Sequence, residues 1–139
     1  MSVRALHHYT LRCSPDELPE LLDFYTTVIG LTVGARPDIP APGYWLYAGH
    51  EPIVHLFAHL SRSEAVLGWP TGPVDHISFR TVGLTRTRAR LAATAVPFEE
   101  APIPDWPLHQ IFLRDPRGVK IELTFFLDRE EEREDVADA

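Results

Sequence analysis

Three histidines and one glutamate occupy related points of the chain. His8 lies in Leu6-His7-His8-Tyr9-Thr10-Leu11-Arg12, and His76 lies in Val74-Asp75-His76-Ile77-Ser78-Phe79-Arg80, 68 residues on. His55, within residues 53–57, and Glu122, within residues 120–124, are 67 residues apart. A near-constant offset is what an internal duplication leaves behind. Imidazole and carboxylate are also the groups that ligate divalent metals and carry protons near neutral pH. Two histidines and a carboxylate form the facial set used for ferrous iron, with positions left open for substrate. With His55 as a candidate fourth ligand, zinc, nickel, cobalt and manganese suit the set equally. Any one of these residues alone reads as a structural histidine or a wetted strand face. The case rests on the four together.

The elements that would carry them follow from the local pattern. Residues 3–13 alternate as a strand, with His8, Thr10 and Arg12 on one face and Tyr9, Leu11 and Cys13 on the other. Residues 74–81 alternate likewise: His76, Ser78 and Arg80 oppose Ile77 and Phe79. In the last strand, residues 119–127, Glu122 shares a face with Lys120 and Thr124, opposite Ile121, Leu123 and Phe125. The more polar faces therefore carry the candidate ligands, and the apolar faces can bury against helices.

Ser14-Pro15-Asp16-Glu17 has the form of a helix start, with Ser14 as cap, Pro15 at the first helical position and Glu17 closing a capping box. Leu18, Leu21, Leu22, Tyr25, Val28 and Ile29 follow at helical spacing, which predicts a helix over 15–29 ended by Gly30. Strands are expected at 31–35, 44–48 and 53–59, with Gly49-His50-Glu51-Pro52 as a hairpin turn. The second half repeats the order: a strand, a weaker helix near 84–95, strands at 98–101 and 108–114, the turn Asp115-Pro116-Arg117-Gly118, and a last strand. The fold class expected is α+β, two repeated βαβββ modules in an eight-stranded curved sheet with helices outside. The modules run over about 4–60 and 74–127 of one domain, joined by a linker at 61–73, and residues 128–139 form an acidic tail.

Composition narrows the function. The 139 residues carry a formal net charge of −7, and a basic stripe is missing, so nucleic acid is not an expected partner. The single cysteine, Cys13, permits no internal disulfide and reads as a small core residue in a reducing compartment. Without an apolar run of membrane-spanning length or a signal-peptide core, no membrane partner and a cytoplasmic location are expected.

At these residues the chain resembles the vicinal oxygen chelate superfamily, which includes glyoxalase I, bleomycin resistance proteins, methylmalonyl-CoA epimerase, fosfomycin-resistance proteins and extradiol dioxygenases. The matching pieces are Leu6 to Leu11, Phe24-Tyr25 through Gly30-Leu31, Asp75 to Phe79, and Asp115 through Leu123. The resemblance covers residues 4–127, nearly the whole chain. The resemblance implies paired modules closing a cup around a divalent metal held by His8, His76 and Glu122. His8 is chosen over His7 because it precedes Tyr-Thr-Leu. His55 matches a variable fourth position that is a ligand or an acid/base group. The resemblance also implies a small-molecule substrate and a homodimer.

Three reactions compete within that resemblance. A lyase or isomerase of glyoxalase type would remove a proton beside a metal-held carbonyl, with His55 and Glu122 as catalytic residues; His55 replaces the usual Glu or Gln. An extradiol-type dioxygenase would use ferrous iron, but Phe112 stands where that group carries Tyr, and His109 lies too close for its upstream His. A ligand-binding or resistance protein without turnover would use Trp45, Trp69, Trp106 and Phe57 to line an apolar pocket. Arg12 and Arg80 on the ligand faces point to an anionic substrate, and His109 and Phe57 are further candidates for substrate contact. The lyase or isomerase is the leading reading.

Overall fold

A computed structural model describes residues 4–63, 74 and 76–128. The chain divides into two compact units, Met1–Trp69 and Pro70–Ala139. Of the expected linker only 61–63 is described, and of the acidic tail only Asp128.

The first unit contains β1 (Tyr9–Cys13), α1 (Leu18–Asp23), β2 (Thr32–Gly34), β3 (Gly43–Ala48) and β4 (Glu51–Ala58). The second contains β5 (Ile77–Arg80), α2 (Leu84–Thr94), β6 (Phe98–Pro102), β7 (Leu108–Arg114) and β8 (Lys120–Phe126). Each unit is βαβββ, and each has one four-stranded sheet with the same topology, β1-β4-β3-β2 and β5-β8-β7-β6. The α+β class and the duplication are therefore as the sequence implied. No helix among the described residues is long and apolar enough to cross a membrane.

The duplication extends to register. Strands β1 and β4 run parallel with Thr10 opposite His55, while β5 and β8 run parallel with Ser78 opposite Glu122. Across the antiparallel pairs, Trp45 faces His55 and Phe112 faces Glu122. Each sheet buries its other face. In the first unit Leu46, Val54, Leu56 and Cys13 are buried, together with Leu18, Leu21 and Tyr25 of the helical segment. In the second, Ile111, Leu113, Ile121, Leu123 and Phe125 are buried with Leu91 of α2.

The first helix departs from expectation. It begins at Leu18, not Pro15, and becomes a π-helical turn over Phe24–Val28. The capping contact expected of Glu17 is present: its Oε2 accepts from Ser14 N at 2.8 Å. Pro19 explains the late start, because a proline ring deeper in a helix collides with the carbonyl four residues back. The widening has a local cause too. Thr26 Oγ1 donates to Leu22 O at 2.7 Å, competing for a carbonyl of the helix ladder, and Ile29 N reaches Phe24 O instead, at 3.1 Å. Gly30 ends the segment at φ 90°.

Two turns set the strands that matter for the site. The β3–β4 hairpin closes on Gly49 and His50 alone, so Glu51 and Pro52 belong to β4 and not to the turn. A bulge follows: Leu46 pairs with Val54 but Tyr47 with Pro52, leaving Ile53 as the extra residue. Near the far end of this pair, a Cβ on Gly43 would lie 2.1 Å from Leu56 O, so only glycine fits there. In the β7–β8 hairpin, buried Asp115 accepts at Oδ1 from Arg117 N (2.8 Å) and Val119 N (2.9 Å). Gly118, at φ 84°, supplies the left-handed step. Removing the Asp115 carboxylate strands two amide donors, so Asp115→Ala is expected to cost about 1–3 kcal/mol. Urea denaturation followed by circular dichroism would measure it; a loss under about 0.5 kcal/mol would contradict this account of the turn.

Candidate functional site

The second unit supplies a carboxylate held by neighbouring strands. Glu122 is buried at the middle of β8. Its Oε1 accepts from Gln110 Nε2 at 2.8 Å and lies within reach of the hydroxyls of Thr124 and Ser78. Those hydroxyls are 2.8 Å apart, and each has one proton. The Thr124 contact is the shorter, so Thr124 donates to the carboxylate and Ser78 supports it. Glu122 Oε2 points elsewhere, 2.9 Å from Nε2 of His76, which is partly exposed just before β5. One oxygen is thus held by the sheet while the other faces the histidine predicted to share a metal with it.

The first unit supplies a stack of rings. His55, also buried, lies between His8 and Trp45, with centroids 3.9 Å and 4.0 Å away and planes within 13° and 8° of parallel. His55 Nε2 is 3.1 Å from Pro52 O, at the bulge. A carbonyl only accepts, so Nε2 carries the proton and Nδ1 keeps its lone pair. Burial, then the nearby His8, push the His55 pKa below its usual value, against the pull of the Pro52 bond. His55 is therefore a neutral imidazole at neutral pH. His7, the residue passed over in favour of His8, touches it Nδ1 to Nδ1 at 2.7 Å. One of the two carries the intervening proton; when it is His8, its Nδ1 donates to His7 and its Nε2 keeps the lone pair a ligand needs.

The repeats share a frame but differ in content. At equivalent register positions the first unit has Gly43, Trp45, His55 and Phe57, and the second has Gln110, Phe112, Glu122 and Thr124. The first face is aromatic and the second hydrogen-bonding. Trp45 was anticipated as a pocket aromatic; its pairing with His55 required the register. Gln110 gave no sequence signal at all.

Other candidates fall as follows. Arg12 and Arg80 are exposed, on the faces that carry Thr10 and Ser78. Arg80 sits over the Phe126 ring at 5.8 Å. Phe57, half-buried, lies on the His55 face and touches the His59 ring at 4.3 Å. His109 is placed differently from the expectation of substrate contact. It alternates with Gln110 and so faces the buried side, paired with Phe125. There its Nε2 donates to Glu100 Oε2 at 2.6 Å, and Arg88 of α2 grips the same carboxylate through Nε and NH2 at 2.9 and 2.7 Å. The Arg88 bonds, chiefly, hold the Glu100 pKa below its usual value. This network fastens α2 to β6 and β7, and His109 is not part of the Glu122 face. Trp106 is 68% exposed beyond β6. Trp69 lies outside the described residues.

Among the described residues no group of three or more His, Cys, Asp or Glu side chains could by itself hold a metal ion. Each unit instead presents a pair, His8 with His55 and His76 with Glu122. The donor chemistry fits a divalent metal: three imidazoles and one hydrogen-bonded carboxylate.

The sequence profile of the Glyoxalase/Bleomycin resistance protein/Dioxygenase superfamily matches residues 5–123. The chain belongs to this superfamily. Solved members of the fold superimpose over nearly all of it. A lactoylglutathione lyase from Agrobacterium tumefaciens is 19% identical, with a TM-score of 0.62 over 90% of this chain and 96% of its own. The genomically encoded fosfomycin resistance protein FosX from Listeria monocytogenes is 15% identical, with a TM-score of 0.66 over 95% and 99%. TnmS3, an antibiotic binding protein from Streptomyces sp. CB03234, is 20% identical, with a TM-score of 0.63 over 90% and 98%. No curated protein matches the chain. Likeness at these identities establishes the fold, and neighbours this varied leave the reaction to the site's own chemistry.

The ring stack yields a direct test. In metal-free protein, an NMR titration of the His55 imidazole should have its midpoint below 6.5. His8→Ala removes both a neighbour that lowers the His55 pKa and cover, so the midpoint should rise. A midpoint at or above 6.5 in the unsubstituted protein would contradict the stacked, desolvated ring.

Proposed function

We propose that this protein is a metal-dependent lyase or isomerase acting on a small substrate with neighbouring oxygens. His8, His76 and Glu122 are the proposed ligands of a divalent ion, and His55 is the proposed proton carrier beside it. The observation that carries the reading is the Glu122 carboxylate, with Oε1 held by Gln110 and Thr124 and Oε2 turned to His76. Burying a carboxylate is costly, and three polar partners around it are more than a wetted strand face requires.

A divalent ion there would supply Lewis acidity toward adjacent substrate oxygens. The side chains define the rest. Nδ1 of His55 has a lone pair, and the ring's neutral state leaves it able to accept a proton near neutral pH. Stacking between His8 and Trp45 restricts the ring's rotation, so that the acceptor atom is held in a set direction. Gln110 and Thr124 orient Glu122, as partners of metal-binding carboxylates commonly do. A ring-cleaving dioxygenase is the second reading, favoured by the two-histidine, one-carboxylate donor set. Phe112, whose ring meets His76 edge-on at 6.1 Å, has no hydroxyl to offer that chemistry.

Protein purified without chelator or affinity tag should contain about one divalent ion per chain by inductively coupled plasma mass spectrometry. Glu122→Gln should lose it, and unchanged metal content would sink the ligand assignment. Gln110→Ala should weaken metal affinity by about 10- to 100-fold, the usual cost of removing an orienting partner. His55→Ala should retain the metal and lose turnover if His55 is the base, whereas loss of metal would make it a ligand. Iron at that ratio with ring-cleaved catechol product would favour the dioxygenase.

A further inference from the structure

Arg36, just beyond β2, is a half-buried cation that pairs with no carboxylate among the described residues. Its NH2 donates to Ala41 O at 2.8 Å. Its Nε is buried without an acceptor, and NH1 has none among the described residues either. Asp38, two residues on, is exposed and does not pair with it. A guanidinium is always charged and carries five N–H donors. A neutral donor would serve the single Ala41 carbonyl as well, at a far smaller cost in desolvation. Fastening the loop at 37–42 is therefore an incomplete account of this residue.

The register places the cation on the sheet. Thr32 is opposite Tyr47 and Gly34 opposite Trp45, so the same antiparallel pairing carried two residues on sets Arg36 beside Gly43. Its NH2 is indeed 3.2 Å from the point that a Gly43 Cβ would occupy. Gly43 is in turn opposite Phe57, and the next pair on that face is Trp45 with His55. The two pairs are two residues apart, about 7 Å along the strands. At the equivalent of Gly43 the second unit has Gln110, whose amide serves Glu122. Here the strand offers no side chain, and the guanidinium of Arg36 lies alongside instead. Arg36, Gly43, Trp45 and Phe57 are each only half-buried, so a small molecule can reach this row from solvent.

We propose that Arg36 binds the oxyanion of a small substrate, a carboxylate or phosphate-type group, at the Gly43–Phe57 pair of the first unit. Such groups accept two parallel bonds from the guanidinium fork. The inference gives a substrate class for the site described above: an anion set a few bonds away from the carbon that His55 deprotonates. Calling the occupant a substrate rests on His55 as the proton carrier, whereas the anion site itself does not. Arg36 then selects substrate, and the Gly43–Phe57 pair sets how far the rest of the molecule extends toward His55.

Benzoate and its neutral analogue benzamide, titrated into the full chain and followed by two-dimensional NMR, test this. Benzoate should shift the amides of Arg36, Gly43 and Phe57 and bind at least about tenfold more tightly than benzamide, the worth of one hydrogen bond to a charged group. Arg36→Gln keeps a donor for Ala41 O without the charge, so it should abolish that preference. Equal binding of the two probes, shifts confined to other residues, or an undiminished preference in folded Arg36→Gln would overturn the proposal. If circular dichroism shows Arg36→Gln unfolded, the unsubstituted protein decides: its Arg36 Nε–H resonance should move with benzoate and not with benzamide, and a stationary resonance would overturn the site. Metal content measured on the same samples separates the two readings. Stoichiometric metal without benzoate preference defeats only the anion site, and preference without metal defeats only the metal assignment.

Discussion

A carboxylate below the surface of a sheet has to be satisfied or neutralised, and the second unit is arranged around meeting that demand for Glu122. The amide of Gln110 on β7, the hydroxyl of Thr124 on β8 and that of Ser78 on β5 converge on one oxygen. Three strands therefore have to be in one register before the group can be buried at all. The register in turn depends on the Asp115 turn at the β7–β8 hairpin, whose side chain fixes two amides of the loop. A slip of one residue there would turn Glu122 to the apolar face and leave its charge without partners.

The first unit meets the same geometric problem with different means. Its equivalent of Glu122 is His55, a group that can be buried neutral, and its neighbours are rings where the second unit has amide and hydroxyl. Stacking holds His55 where hydrogen bonds hold Glu122. The β4 bulge supplies the Pro52 carbonyl that sets which nitrogen carries the proton. Duplication has thus kept the backbone frame and let the two halves differ in content, one with a stacked neutral imidazole and one with an anchored carboxylate. The opposite faces show the contrast again. His109, with Glu100 and Arg88, forms a polar network, but it lies on the helix side and fastens α2 to the sheet.

Much of this was legible in the chain. The two offsets between related residues, the period-two alternation and the Asp-Pro turn identify the modules, their strands and the faces that carry His8, His55, His76 and Glu122. Offset and period are properties of one strand at a time, and hydrophobic burial enforces them wherever the strand lies. The helix start was misplaced because Ser14 to Glu17 resembles a cap in isolation, while Pro19 further on excludes a helix beginning that early. His109 was misjudged for a related reason: its type suggested chemistry, but its parity along β7 assigns it to the core.

The sequence by itself determined the α+β class, the repeat and the related positions of His8, His55, His76 and Glu122, because each follows from residue type and spacing along the chain. Only the tertiary structure decided which side chains meet across strands: Gln110 with Glu122, Trp45 with His55, Lys120 with Phe112 and His109 with Glu100. Those meetings depend on cross-strand register, and register is set by turns, a bulge and a glycine's close approach acting together. No single segment encodes it, so no local pattern could have shown it.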